Sequence, residues 1–432
     1  MREQCTVAGA GMFGVSCALR IRRELKMEVT VIMPTPPESK IPRIDSLRNH
    51  QWAHSGALYD QLPKTDAEMM RRSLRELHES VGFPQPDPNL FGVFRVDEAA
   101  EAVLIANVKR LGLEAEVGLL PENDSRKLAR DFYLAGFRHY ATSDKPFDEA
   151  GLLQTARQVA EEEGVRFRAA EVVKLIEDPS SACGMALVLR IGGVAEKLLN
   201  WRSDYIVLCA GSQIPKLLES ISVQHRLQVF QSALLTIDNN RYLDAALFVD
   251  RVSEFAVVRH KVMPRILPAG ALVVGARYRE PVLDPSEERI VTNLEKRAIV
   301  RLLPPSLWCR AEGAKATAGH KTENMDENGQ PSVAPFVTNV PGYERVLYGI
   351  PGKASLAYWA AGHVVERFKQ LNTRARGSSG MASERLANQR TAADELPNLA
   401  FEYRMHHTHQ IDEIERTKAD VELDSKKNKK TS

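Results

Sequence analysis

The sequence predicts an α/β fold: a parallel sheet entered through a glycine-rich turn, joined to a second, α+β domain built on an antiparallel sheet. Three observations predict it. Residues 6–14 (TVAGAGMFG) set Gly9, Gly11 and Gly14 between a short apolar run and a helical pattern. Residues 28–33 (EVTVIM) read as the next parallel strand. Residues 228–275 carry a series of short apolar runs broken by polar residues, the pattern of antiparallel strands.

The glycine spacing is G-x-G-x-x-G, and the order strand, turn, helix is the context of a dinucleotide fingerprint. Gly9 makes the turn, Gly11 lets the backbone approach a pyrophosphate, and Gly14 lets the helix at 15–25 pack against the strand. Ala10, Met12 and Phe13 complete the turn. The helix N-terminus offers N–H groups and partial positive charge to phosphate. The alternative is a glycine-rich turn in an ordinary α/β unit. One position departs from the fingerprint, which calls for an acidic residue near the end of the second strand to bond a ribose hydroxyl. Met33 stands there, Pro34 follows, and Glu38 is the nearest carboxylate, in a Pro-rich loop.

A chain of 432 residues is long enough for two full-sized cores. Its 44% hydrophobic and 26% charged residues are ordinary for a globular protein. A net charge of +2 gives no argument for a nucleic-acid partner, and none is expected. Cys5, Cys17, Cys183, Cys209 and Cys309 have neither metal-ligand nor disulfide-framework spacing, which suits a reducing compartment such as the cytoplasm. Residues 6–19 are apolar enough to imitate a signal-peptide core, but almost no basic residues precede the glycines. No run reaches the roughly 18 apolar residues that span a membrane, so no integral membrane segment is expected.

Residues 46–60 (SLRNHQWAHSGALYD) crowd hydrogen-bonding groups around Trp52, more densely than a linker needs. Residues 66–81 read as an amphipathic helix, 92–96 as a strand, 98–112 as a helix, and 113–130 as a loop with a short helix. The run Lys145, Pro146, Phe147, Asp148 precedes a helix at 149–163. Short β-prone runs at 165–168, 171–177, 184–191 and 197–201 read as a meander, and 204–211 (DYIVLCAG) as a buried strand. Strands are expected at 228–237, 245–249, 255–259, 266–269 and 271–275, then a helix at 286–303. Residues 310–322 read as a basic strand and loop. Arg277, Tyr278, Arg310, Lys315, His320 and Lys321 are candidates for binding an acidic substrate, though each taken singly has the ordinary reading of a solvated charge. A strand at 346–348, a turn at 349–352 and a helix at 355–368 follow. Residues 371–432 are polar and small, with a lysine-rich end, and are expected to form a disordered tail. His406, His407 and His409 cluster there without further ligands nearby, so no metal site is expected.

Three anchors (the fingerprint, the 46–59 segment and the turn-helix at 349–368) resemble the D-amino-acid oxidase-like superfamily of FAD-dependent oxidoreductases. That group includes glycine and sarcosine oxidases, glycerol-3-phosphate dehydrogenases and L-2-hydroxyglutarate oxidoreductases. The last carry a pattern similar to Ser46, Asn49, His54, Gly56 and Tyr59. The resemblance covers most of residues 1–370 and implies a Rossmann-like FAD-binding domain at 1–60, 148–225 and 333–370, with a substrate domain at 61–147 and 226–332. It also implies cofactor contacts at Met33, Ser46, Arg48, Asn49, Gly56, Val172, Ala210, Gly211, Gly349, Gly352, Lys353 and Ala354. Lys353 departs from the family, whose turn has a glycine or small residue there. The implied reaction removes a hydride from a C–H beside an amine or hydroxyl of a small amino- or 2-hydroxy acid and passes it to flavin N5. The substrate is then a small, carboxylate-bearing molecule. His54 is the candidate base for a hydroxyl proton, with a packed, hydrogen-bonding histidine as the alternative. Two other readings stay open: an NAD(P)-dependent dehydrogenase, and a non-catalytic flavoprotein fold that serves as a binding partner.

Overall fold

The computed structural model describes residues 2–34, 51–59, 63–191, 197–237, 243–259, 271–276, 280–281, 291, 293–327 and 329–377. Two sheets organise it. The first begins at strand Gln4–Ala8, whose residues 5–8 are buried. Strand Glu28–Met33 pairs with it in parallel on one side, and Tyr205–Leu208 on the other. Arg166–Ala169 extends the sheet beyond Glu28–Met33, and Tyr343–Ile350 extends it beyond Tyr205–Leu208. A final antiparallel strand, Phe336–Val340, makes the sheet six-stranded. Strands buried on both faces read as unbroken apolar runs, which is why 28–33 and 204–208 were visible in the sequence.

One face is covered by helices Met12–Arg20, Glu149–Glu162 and Ala357–Gly377, whose Val15, Leu153 and Val364 share a core with Val7 and Val31. The other face is covered by the meander Glu171–Glu177, Met185–Ile191 and Lys197–Arg202. Asp148 caps Glu149–Glu162 by accepting the Gly151 N–H at 2.8 Å, as an Asp before a helical run should.

The second sheet is ten-stranded and mostly antiparallel. Its longest pairing joins Leu227–Ile237 to Lys315–Met325 along most of their length. Phe255–Arg259 and Leu272–Ala276 continue the antiparallel run, and Gly92–Val96 joins Leu247–Asp250 in parallel. Helices Asn293–Leu302 and Trp308–Gly313 cover one face. Helices Lys64–Val81 and Glu98–Leu111 cover the other.

Several sequence expectations need correction. The first helix starts at Met12 and ends as α at Arg20; Ile21–Leu25 is a π turn closed by Lys26 in the left-handed region. Residues 310–322 are not strand and loop: Trp308–Gly313 is helical and Lys315–Met325 is one long strand. Burial of Ala311 and Leu307 in the outer core decides this, a tertiary cause that local composition hides. Residues 113–130 contain a strand, Val117–Leu119, before helix Glu122–Ala129. The last helix runs on to Gly377, past the polar change at 371. The expected strand at 266–269 and the tail from 378 onward, with its histidines, lie outside the described residues.

Candidate active site

The first turn is closed by contact. Gly9 has φ +113°, a value side-chain-bearing residues rarely adopt, and a Cβ on it would lie 2.4 Å from the Cys209 carbonyl oxygen. A Cβ on Gly14 would lie 1.9 Å from the Gly9 carbonyl oxygen. Gly9 N–H donates to Ile32 O at 2.8 Å, tying the turn to the second strand. Gly11 is the helix N-cap, brings no capping side chain, and no acid stands in the first turn, so the helix start suits an anion. Ala10, Met12 and Phe13 are buried around it.

The late turn meets the early one. A Cβ on Gly349 would lie 3.3 Å from Phe13 Cε1. Gly352 has φ +69° and no room for a side chain, since its Cβ would lie 2.2 Å from Val333 O. Lys353 is extended (φ −132°), a conformation open to any residue, which explains how a lysine stands where a small residue was expected. Ala354–Leu356 is a turn of 3-10 helix leading into Ala357–Gly377.

His54 lies in the stretch 51–59. Trp52–Ala53 pairs with Lys145–Pro146, and Gly56 turns the chain at φ +101°. The Trp52 and His54 rings lie 4.2 Å apart. Tyr59 Oη is 3.0 Å from His54 Nδ1 and 3.3 Å from Nε2, in contact with both nitrogens of the imidazole. Lys353 Nζ stands 4.7 Å from the centroid of the Tyr59 ring, in cation–π contact. Early segment and late turn thus converge on His54, Tyr59 and Lys353.

The second sheet turns one face toward this cluster. Gln228, Phe230, Ser232 and Leu234 alternate onto it, directly opposite Glu323, Lys321, Gly319 and Thr317. The face continues through Val273 and Val258 to Leu247, and Leu247 and Val258 share a core with Ala57, Leu356 and Tyr59. Lys321 therefore lies on this face, ion-paired with the fully buried Glu323. Arg310 and Lys315 are exposed, and His320 points to the opposite face. Met33 is buried in the first core, where its side chain packs rather than accepts a hydrogen bond. Val172 and Ala210 are half-buried against the meander core, and Gly211 (φ +54°) opens a short 3-10 turn. Ser46, Arg48, Asn49, Glu38, Arg277 and Tyr278 lie outside the described residues.

A sequence model of the family described as FAD dependent oxidoreductase matches residues 4–397. The chain belongs to that family. Its fold is similar to that of glycine oxidase from Geobacillus kaustophilus: TM-score 0.63, 14% identity, 85% of this chain and 95% of that one. Fructosamine oxidase from Aspergillus fumigatus gives 0.67 and 16%, over 85% and 87%. Glycerol-3-phosphate dehydrogenase from Bacillus halodurans, solved with FAD, gives 0.60 and 14%, over 86% and 65%. No curated protein matches the sequence. Among the described residues, no helix is long and apolar enough to cross a membrane.

The residues of this FAD dependent oxidoreductase fit its cofactor. Besides the uncapped helix start, the buried Ser355 hydroxyl beside the late turn has no hydrogen-bond partner among the described residues. Native interiors rarely leave such a group unpaired, and a polar ligand is one way to satisfy it. Sequence reasoning missed it, because a lone Ser at a helix start carries no local signal.

Proposed function

We propose that this oxidoreductase oxidises the C–H bond beside a hydroxyl or amine of a small 2-hydroxy or amino acid. The observation that carries the reading is the convergence of His54 and Tyr59, from the 51–59 stretch, with Lys353, from the late glycine turn. Bound FAD supplies the hydride acceptor, its N5. Gly9, Ala10, Gly11 and the start of helix Met12–Arg20 would hold its pyrophosphate. Gly349, Gly352 and Ala354, at the start of the last helix, would border its ring, where helix N–H groups favour negative charge.

His54 takes the hydroxyl proton of a 2-hydroxy acid, and the Tyr59 hydroxyl orients the imidazole. An amine donor reaches the site deprotonated and needs no such base. Lys321 binds the substrate carboxylate; Glu323 offsets the charge of Lys321 while the site is empty of substrate. The burial of Met33 in place of a ribose carboxylate favours a second reading, a fold that keeps flavin without turning over a donor.

The test is an absorbance spectrum of the purified protein before and after acid precipitation, followed by anaerobic mixing with a panel of 2-hydroxy and amino acids. Flavin bands that bleach with one class support the proposal. Flavin retained but bleached by no donor supports the second reading, and a colourless protein that refuses added FAD overturns both.

A further inference from the structure

One buried carboxylate beside the cluster has no part in the chemistry above. Asp144 follows strand Arg138–Thr142 and is 1% exposed. Its Oδ1 accepts the backbone N–H of Ser55, and its Oδ2 accepts the Thr142 hydroxyl at 3.2 Å. Ser55 is the residue after His54. Its carbonyl is held from the far side by Arg71 Nη1 at 3.3 Å, out of helix Lys64–Val81. Arg71 in turn pairs with Glu116 at 3.8 Å, and Glu116 accepts the Ser143 hydroxyl at 2.7 Å. The contacts close a ring: Ser55, Asp144, Ser143, Glu116, Arg71 and back to Ser55. It ties the strand end at 142–144, the helix and the 51–59 stretch together.

A loop peptide normally satisfies its polar groups with water and keeps some freedom. The peptide groups of Ser55 are instead fixed on both sides by charged groups, one of them buried. Hydrogen bonds to charged partners are about twice as strong as neutral ones. The imidazole of His54, one residue away, inherits that fixed backbone. Its contact with Tyr59 needs it, because Tyr59 lies beyond the turn at Gly56.

We infer that Asp144 is a positioning residue: through the Ser55 N–H, and with Arg71 opposite, it sets the orientation in which the His54 imidazole meets Tyr59. The inference builds on the site proposed above, but it concerns the geometry of His54 and holds whether or not His54 accepts a proton from substrate.

The readout is therefore the imidazole itself. Protein is labelled with 13C at histidine Cε1, and the His54 resonance is identified by its loss in His54→Gln. The charged and titratable groups facing the stretch, Arg71, Glu116, Tyr59 and Lys353, are kept intact in the first comparison. Asp144→Ala should displace the His54 resonance and move its titration midpoint by about half a pH unit or more. The other histidine resonances should stay in place, which reports an intact fold. Asp144→Asn keeps an oxygen for the Ser55 N–H and should leave His54 near its native position. A His54 resonance and midpoint unmoved in a folded Asp144→Ala protein overturn the inference, as does an equal displacement by Asn. If Asp144→Ala does not fold, Arg71→Ala cuts the other side of the clamp and carries the same two outcomes. A displaced imidazole with unchanged turnover of a 2-hydroxy acid would remove the proton-accepting role of His54 and leave its positioning by Asp144 standing.

Discussion

The Lys353 ammonium stands over the Tyr59 ring, 4.7 Å from its centroid, while the hydroxyl of that ring reaches His54. For one imidazole nitrogen to stay free as a base, the other must carry the proton and donate its N–H to the Tyr59 oxygen, which fixes the tautomer and the ring. Replacing Tyr59 by Phe keeps the ring and the cation contact but removes that acceptor. Tyr59→Phe should lower kcat for a 2-hydroxy acid about 10-fold, and His54→Gln about 10²–10⁴-fold, the usual span for a general base. Amine donors should lose far less in both. Stopped-flow flavin reduction with the two donor classes measures the difference, and equal losses would remove His54 from the proton step.

The first turn makes a different kind of prediction. Gly9→Ala forces a Cβ against the Cys209 carbonyl at a backbone angle that alanine resists. The strain alone is worth about 1–3 kcal/mol. The turn must also shift where a pyrophosphate approaches. The variant should purify with little flavin and a lowered Tm, both readable in one thermal melt followed by flavin fluorescence.

How much of this was legible follows from range. The turn at 6–14, the strand at 28–33 and the helix capped by Asp148 are local patterns, so the sequence displays them whole. Lys321 could be named as a candidate cation, but its face depends on the register Phe230↔Lys321 across two strands far apart in the chain. Tyr59 with Lys353, and Ser55 with Asp144, are pairings between distant segments: the resemblance marks Tyr59 and Lys353 singly, but no local pattern joins either pair. The helix at Trp308–Gly313 was hidden for the same reason: burial of Ala311, not propensity, makes it.

Two buried groups should pull stability in opposite directions as pH falls. Burial, then the charge of Arg95, pushes the His139 imidazole down to about 4. Its unfolded value is near 6.5, so the stability it contributes is whole above that pH and is lost toward 4, about 3 kcal/mol in all. Burial pushes the Asp144 carboxyl up to about 6, against hydrogen bonds from Ser55 and Thr142 that lower it. Its unfolded value is near 3.9, so it costs about 3 kcal/mol above pH 6, and that cost fades as pH falls toward 4. The two nearly cancel in the native protein. Urea unfolding at pH 7 and pH 5 should show His139→Gln gaining about 1–2 kcal/mol relative to the native chain, and Asp144→Asn losing a similar amount. Parallel behaviour of both variants would refute the assignment.

Arg95 and Asp250 form a buried ion pair between neighbouring strands, and Arg95 also donates to Phe132 O at 3.0 Å. Removing one partner strands a charge, which typically costs about 3–5 kcal/mol. Asp250→Ala should show that loss in urea unfolding. The double variant Arg95→Met with Asp250→Leu should recover most of it, because the pair lies among Phe132, Phe137 and Phe248 and an apolar replacement suits that setting. Recovery failing in a folded double variant would mean that the pair contributes net attraction.

Ser355 sets stability of the free protein against binding. Its buried hydroxyl, beside the late turn, has no partner among the described residues, which costs about 1–3 kcal/mol in the absence of a ligand. Ser355→Ala removes the hydroxyl with little change of shape, so the flavin-free protein should melt higher. If the hydroxyl serves FAD or substrate, the same change must weaken that ligand, because an interaction made only in the complex is lost while the free state improves. Thermal melts of flavin-free and flavin-loaded protein, with FAD titrated into the former, separate the cases. A higher Tm with weaker FAD binding assigns Ser355 to the cofactor. A higher Tm with unchanged FAD binding but a raised KM for the donor assigns it to the substrate. A lower Tm in both forms would show that the hydroxyl is already satisfied within the protein.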